Sequence, residues 1–408
     1  TPVIDDAEGL FDAYAQMAIG LVDHAVQRGV LLAPVSVLGQ REPTPDEVNT
    51  NPYVLHTIAS IDARTGFSTA EIFRVCGVQP HTRISNLCAA LQAAEAMQLL
   101  TPILMTPSLS GPFLEGGRAA RLAYDSFTPQ QQEHINRMGI THEDLARTYQ
   151  SYRYLLRRIG SCGAGIWTEP APDSVEAYLQ EGHSKLAAGE INTIDRLRGP
   201  HTDRIRAVLD GSPESTTFEG CSYDTFGGNL LAISDNHAFY SAIFTALENK
   251  AIHGENVVEL TARQLGLGHL TRSERLHAAH RAALQASRYG NDSIVYGKKP
   301  GQWVADSLLE LADNAPFIHI NIDKRLRLLG NFATMDETVL ALRNWCAERH
   351  TAIPSLEAYY DLGLNNAAVY MMAQRQALWG TKSQDRVQQI ELHTAKAFHA
   401  QVGRLALI

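Results

Sequence analysis

The sequence predicts a mainly α protein: a multi-helix globular bundle with a small helix-turn-helix-like N-terminal module and few short strands. Three observations carry this. Apolar residues recur at three- and four-residue spacing along most of the chain, as one face of a helix requires. Two stretches, Thr271-Arg-Ser-Glu274 and Thr334-Met-Asp-Glu337, have the form of capping boxes, which satisfy the first free N–H groups of a helix. Strand-like runs nowhere alternate with helical ones in the βαβ manner of a parallel sheet.

In order, Asp6 to Gly29 reads as a first helix, with Leu10, Tyr14, Met17, Leu21 and Ala25 on its apolar face. Leu31 to Leu38 is a short strand or buried connection, and Pro43 to Pro52 a loop. From Phe67 to Leu100, Ser68 to Ile72, Cys76-Gly-Val78, Thr82, Leu87 and Ala90-Leu91 resemble a helix-turn-helix. Gly77 would make the turn, and the second helix would run from Thr82 to Leu100. Pro102 to Pro112 is a wing or a loop. The glycine-rich break at Gly111 to Gly117 divides the chain into an N-terminal module (1–116) and an all-helical catalytic or ligand-binding domain (117–408).

Further helices are expected at Pro129 to Met138, Glu143 to Ile159, Ser174 to Ala188 and Ile194 to Leu209. Phe218 to Asn229 is a loop in which Gly220, Gly227 and Gly228 allow positive φ or close approach to a ligand. Ser234 is the expected N-cap of a helix over Asn236 to Lys250. Thr271 opens a helix to about Ser287, ended by Tyr289-Gly-Asn-Asp292. Trp303 to Ala312 is a short helix, and Phe317 to Ile322 a single strand. Thr334 opens a helix to about His350, and Pro354 forbids its simple continuation. Ser355 to Trp379 and Gln384 to Leu405 close the chain.

With 408 residues, 45% hydrophobic and 19% charged, the chain supports a sizeable core. A net charge of -9 argues against broad nucleic-acid binding. The five cysteines are scattered and lack a CxxC pair, so reduced thiols in a cytoplasm are expected rather than a disulfide frame. No apolar run reaches membrane-spanning length and no signal-peptide pattern opens the chain, so no membrane partner is expected. A homodimer stays open. Ser161-Cys-Gly-Ala-Gly165 lacks the Lys-Ser/Thr of a P-loop.

Three constellations can carry chemistry. His350 follows Val339, Leu342 and Cys346 at helical steps and is expected on the core side near the helix end, where a neutral imidazole suits an axial haem ligand; the alternative is a core or C-terminal-turn histidine stabilised by the helix dipole. Glu274, His277 and His280 are helix neighbours, so a carboxylate and two imidazoles are in reach of one metal. His237 and the turn His253-Gly-Glu255 bracket the central helix. A non-haem iron or zinc enzyme would draw on His237, His253, Glu255, Glu274 and His277, and without metal the same groups leave acid–base chemistry. A ligand-responsive DNA-binding protein is a further alternative, weakened because Arg83 is the one cation on the expected reading helix.

Phe218-Glu-Gly with the Gly227-Gly228 loop, then His280-Arg281, then a helix ending at Arg349-His350, resembles in that order the haem-dependent indoleamine and tryptophan 2,3-dioxygenase superfamily. The resemblance covers roughly residues 170 to 370. It departs in a longer His280-to-His350 spacing and in a loop without a run of serines. It implies an all-helical oxidoreductase of secondary metabolism that binds haem b through His350 and oxygenates a small aromatic (indole or phenol) molecule. Ser222, Gly227, Gly228 and Asn229 would line the distal pocket, and His237 or Arg281 would orient the substrate.

Overall fold

The computed structural model describes residues 9–32, 77–108, 193–196, 204–208, 217–220, 223, 226–316, 318–351, 392, 395–396 and 398–407. Among them helix dominates, as the periodicity predicts: α1 (Gly9–Gln27), α2 (Leu87–Leu104), α3 (Leu230–Ile252), α4 (Val257–Gln264), α5 (Arg272–Tyr289), α6 (Pro300–Trp303), α7 (Leu309–Asp313), α8 (Ile322–Asn331) and α9 (Met335–Glu348). Residues 398–405 are also helical, within the last expected helix. The expected break at 111–117 and the helices expected over 129–138, 143–159, 174–188 and 355–379 lie outside the described residues.

At the centre is α3. Its Ala, Ile, Phe, Tyr and Leu side chains are buried almost all round, which marks a core helix rather than a surface one. Against it pack α1, α2, α7 and α8, while α4 and α5 also pack on α2. Residues of α1 and α2 thus share one hydrophobic core with α3, α4 and α5. Close approach of α2 depends on its small residues: Ala90, Ala93, Ala94 and Ala96 have no exposed surface. Bulkier side chains would hold the helix axes further apart.

The expected N-cap Ser234 is instead buried inside α3. Asn229 caps the helix, its Oδ1 accepting from the Ala232 N–H at 3.1 Å. Both capping boxes form as expected, at Thr271 with Glu274 and at Thr334 with Glu337. Between α6 and α7 the helix widens into a π turn over Val304–Leu308, so the expected helix exists with one irregular turn.

Four other expectations are corrected. Thr82 and Arg83 do not open a helix; they belong to β1 (His81–Arg83), and α2 begins at Leu87 behind the N-cap Asn86. Pro102 lies inside α2 rather than in a wing, and a 3₁₀ turn at Thr106–Ser108 follows. Ile194 to Leu209 is not a helix but contains the paired strands β2 (Thr193–Arg196) and β3 (Arg204–Val208). Gly199-Pro200 between them breaks any helix, and Ile194, Ile205 and Val208 are β-branched. The strand expected over Phe317 to Ile322 is not found at 318–322: residues 318–320 are irregular, and Asn321 caps α8, its Oδ1 accepting from Lys324 N–H at 2.9 Å.

β4 (Thr217–Glu219) completes a four-stranded sheet of order β1-β4-β3-β2 in which each neighbouring pair is antiparallel. Side chains alternate across a sheet, so register sorts the residues into two faces. Thr82 pairs with Phe218 and looks toward α3. There Phe218 stacks on Phe244, ring centres 4.4 Å apart, and on Tyr240, and Thr82 Oγ1 lies 2.8 Å from Ser241 Oγ. His81, Arg83, Thr217 and Glu219 take the opposite face.

Candidate functional site

Most buried polar groups in the helical core have structural partners. Asp235 receives two hydrogen bonds from Arg327, at 2.6 and 3.0 Å, tying α3 to α8. Glu248 Oε1 accepts from the Ser85 and Asn86 N–H groups at 2.6 and 2.8 Å, so a carboxylate from α3 holds the entry to α2. Burial raises the Glu248 carboxyl above its usual range, and the Asn86 and Ser85 hydrogen bonds oppose that rise. Arg275 donates to Glu259 at 2.6 and 3.0 Å and to the Leu267 and Gly268 carbonyls, fixing the turn between α4 and α5.

Two groups of chemical interest remain, on either side of β1. The first joins α1 to α3: Tyr14 Oη lies 2.8 Å from His237 Nδ1. His237 Nε2 faces the His81 carbonyl oxygen at 3.4 Å, so a neutral ring with its proton on Nε2 accepts from Tyr14 and points its N–H at His81. Protein crowds the ring, which nevertheless keeps some contact with solvent. Desolvation lowers the His237 imidazole to about 4 and raises the Tyr14 phenol to about 12. A weak acid therefore sits beside a weak base, and both stay neutral at ordinary pH. The contact joins α1 to α3.

The second group is on the sheet face turned away from α3. Glu219 is fully buried, and its Oε1 lies 4.0 Å from Nε2 of His81, whose side chain is 40% exposed. His81 Nδ1 lies 3.1 Å from Thr217 Oγ1, which holds the imidazole along the strand pair. Arg83 is exposed two residues further on, and the register partners of Glu219 and Thr217 on β3 are Arg204 and Arg206. Gly220 then closes the strand, its N–H donating to Pro80 at 2.9 Å; a Cβ there would meet Tyr240 at 2.8 Å.

The other residues expected to act do not converge. His350 does not face the core: α9 ends at Glu348, and His350 follows the C-cap, exposed, at φ 52. The expected helix ran two residues too far, so the chain leaves the helix before the imidazole turns inward. His253 is exposed at the far end of α3, its Nδ1 2.7 Å from the Asn249 carbonyl, and Glu255 pairs with Lys250 at 3.4 Å. Sixteen residues of helix separate His253 from His237, about 24 Å of rise. Glu274 is occupied in its capping box, which holds its carboxyl below the usual range, and His277 and Arg281 are exposed.

Among the described residues no three His, Cys, Asp or Glu side chains gather as a metal would need, so the expected set His237, His253, Glu255, Glu274 and His277 is dispersed. In the glycine loop, Gly228 has φ 79 and Asn229 serves as a cap; Ser222 lies outside the described residues. The sequence reading missed His81 and Thr217 and used Glu219 only as part of a motif. Strand alternation in 217–219 was the available signal, too short to stand out.

No protein-family model matches the chain, and neither curated proteins nor solved structures give a match. Among the described residues, no helix is long and apolar enough to cross a membrane.

Proposed function

We propose that the protein is an enzyme acting on a small polar, anionic molecule held on the sheet face that bears His81, Arg83, Thr217 and Glu219. The observation that carries this reading is the buried Glu219 carboxylate beside the partly exposed His81 imidazole, on a face that turns away from the apolar core. The buried Glu219, the partly exposed His81 and the exposed Arg83 lie along one face of the sheet, a convergence of polar groups that suits a bound polar molecule. Arginine at this face suits a carboxylate or phosphate, which its planar fork binds through two parallel hydrogen bonds. The imidazole is placed to exchange a proton with the bound molecule, with Thr217 and Glu219 setting its orientation.

A haem-dependent oxygenase would need an inward imidazole, which His350 does not supply, and an aromatic substrate has no described aromatic side chain on this face to meet it. The test is a thermal-shift screen of carboxylates, amino acids, inorganic phosphate and nucleotides against the wild type, His81→Ala and Arg83→Ala. Both variants change exposed residues and should leave the fold intact. One anionic class is expected to raise the melting temperature of the wild type, with the rise lost in both variants. A rise retained in both, or no anionic compound with any effect, overturns the site. A Soret band in the purified protein would restore the haem reading.

A further inference from the structure

A second polar locus lies away from the sheet, where the turn after α5 meets the C-terminal end of α8. Asn291, in the 3₁₀ turn Gly290–Asp292, donates through Nδ2 to the Asn331 and Ala333 carbonyls at 2.8 and 3.0 Å. Those two bonds fix which way its amide points, so Oδ1 must face the other way, and it has no hydrogen-bonding partner. Ser293, two residues on and 1% exposed, likewise has an unpartnered Oγ. The Asn331 side chain is 1% exposed, and neither its Oδ1 nor its Nδ2 is partnered. The neighbouring segment is closely packed: a Cβ on Gly301 would stand 3.0 Å from the Phe332 carbonyl oxygen.

We propose that Asn291, Ser293 and Asn331 line an internal hydration site occupied by at least one ordered water molecule. The donor–acceptor balance selects the ligand. A cation would satisfy the oxygens but repel the Asn331 N–H groups, and an anion would do the reverse. Water accepts from Asn331 Nδ2 while donating to Asn331 Oδ1, Asn291 Oδ1 or Ser293 Oγ, and buried water characteristically bridges groups of this kind. It would join α8 to the turn that ends α5 through side chains that otherwise have no contact of their own kind.

A high-resolution crystal structure of the full chain tests this directly, together with water-exchange spectra of the Asn331 side-chain amide in labelled protein. The expected result is a water position within hydrogen-bond distance of the Asn331 amide and of Asn291 Oδ1 or Ser293 Oγ, with cross-peaks from the amide protons to a bound water. A dry contact in which the amides bond one another overturns the proposal. So does density coordinated by oxygens alone, with Nδ2 turned away. Asn331→Leu, if it folds, should lose the water position, and a retained one would count against Asn331 as its host.

Discussion

His237 meets Tyr14 between α3 and α1, and burial is what keeps the histidine neutral. Water would stabilise an imidazolium, but protein has replaced much of that water, and the His81 carbonyl offsets the loss only in part. The unfolded chain takes up a proton near the ordinary value of 6.5, whereas the folded one resists it until about 4. In that window the unfolded state binds more protons, so stability falls as the pH is lowered from about 6.5 to about 4 and this contribution levels off below. The expected loss is about 1–3 kcal/mol, nearer the lower figure because the ring still meets solvent. Urea titrations at several pH values check it: His237→Phe should flatten the profile in that window. Tyr14→Phe should cost about 1 kcal/mol at neutral pH, the worth of a neutral hydrogen bond.

At the scale of the element, α3 shows why its own start was hard to find in the sequence. Residues on all its sides are buried, so no polar face marks its limits, and Ser234 looks as good a cap as Asn229. The four orphan N–H groups of the first turn decide the matter, and Asn229 answers one of them. Asn229→Ala should therefore cost about 1 kcal/mol in chemical denaturation, while Asn229→Asp should cost much less. Were Asn229 instead a ligand contact, its loss would alter binding with little effect on the midpoint. The capping boxes at Thr271 and Thr334 were legible because both partners lie within one turn of sequence.

For the whole molecule, the decisive fact is which side of α1 and α2 meets α3. The sequence put Met17 and Leu21 on the apolar face of α1; the structure buries Ala15, Ala18, Val22 and Ala25 and leaves Met17 and Leu21 more than half exposed. Small residues win there because they let the helix backbones approach, and α2 uses the same device with its five buried alanines. Ala93→Leu should then destabilise by about 1–3 kcal/mol, the cost of overpacking a filled core. Leu21→Ala should change stability by no more than about 0.5 kcal/mol. Differential scanning calorimetry of the two variants reads both, and the reverse order would return α1 to its expected orientation.

Thr271, Thr334, Gly290 and the apolar spacing of α1, α3 and α5 show how much of the fold is local. Capping, turn chemistry and helical period act over three to five residues, so the sequence by itself determined a mainly helical chain and most of its later helices. The hairpin of β2 and β3 needs partners that only the folded chain supplies, as does the placing of His81 beside Glu219 from 138 residues away. Strands of three to five residues have too few alternations to declare themselves, and they gain their hydrogen bonds only from neighbours brought in by the tertiary fold. His350 shows the same limit from the other side. Periodicity gave it a face, but where a helix stops depends on what its last turn packs against, and α9 stops before His350 can turn inward.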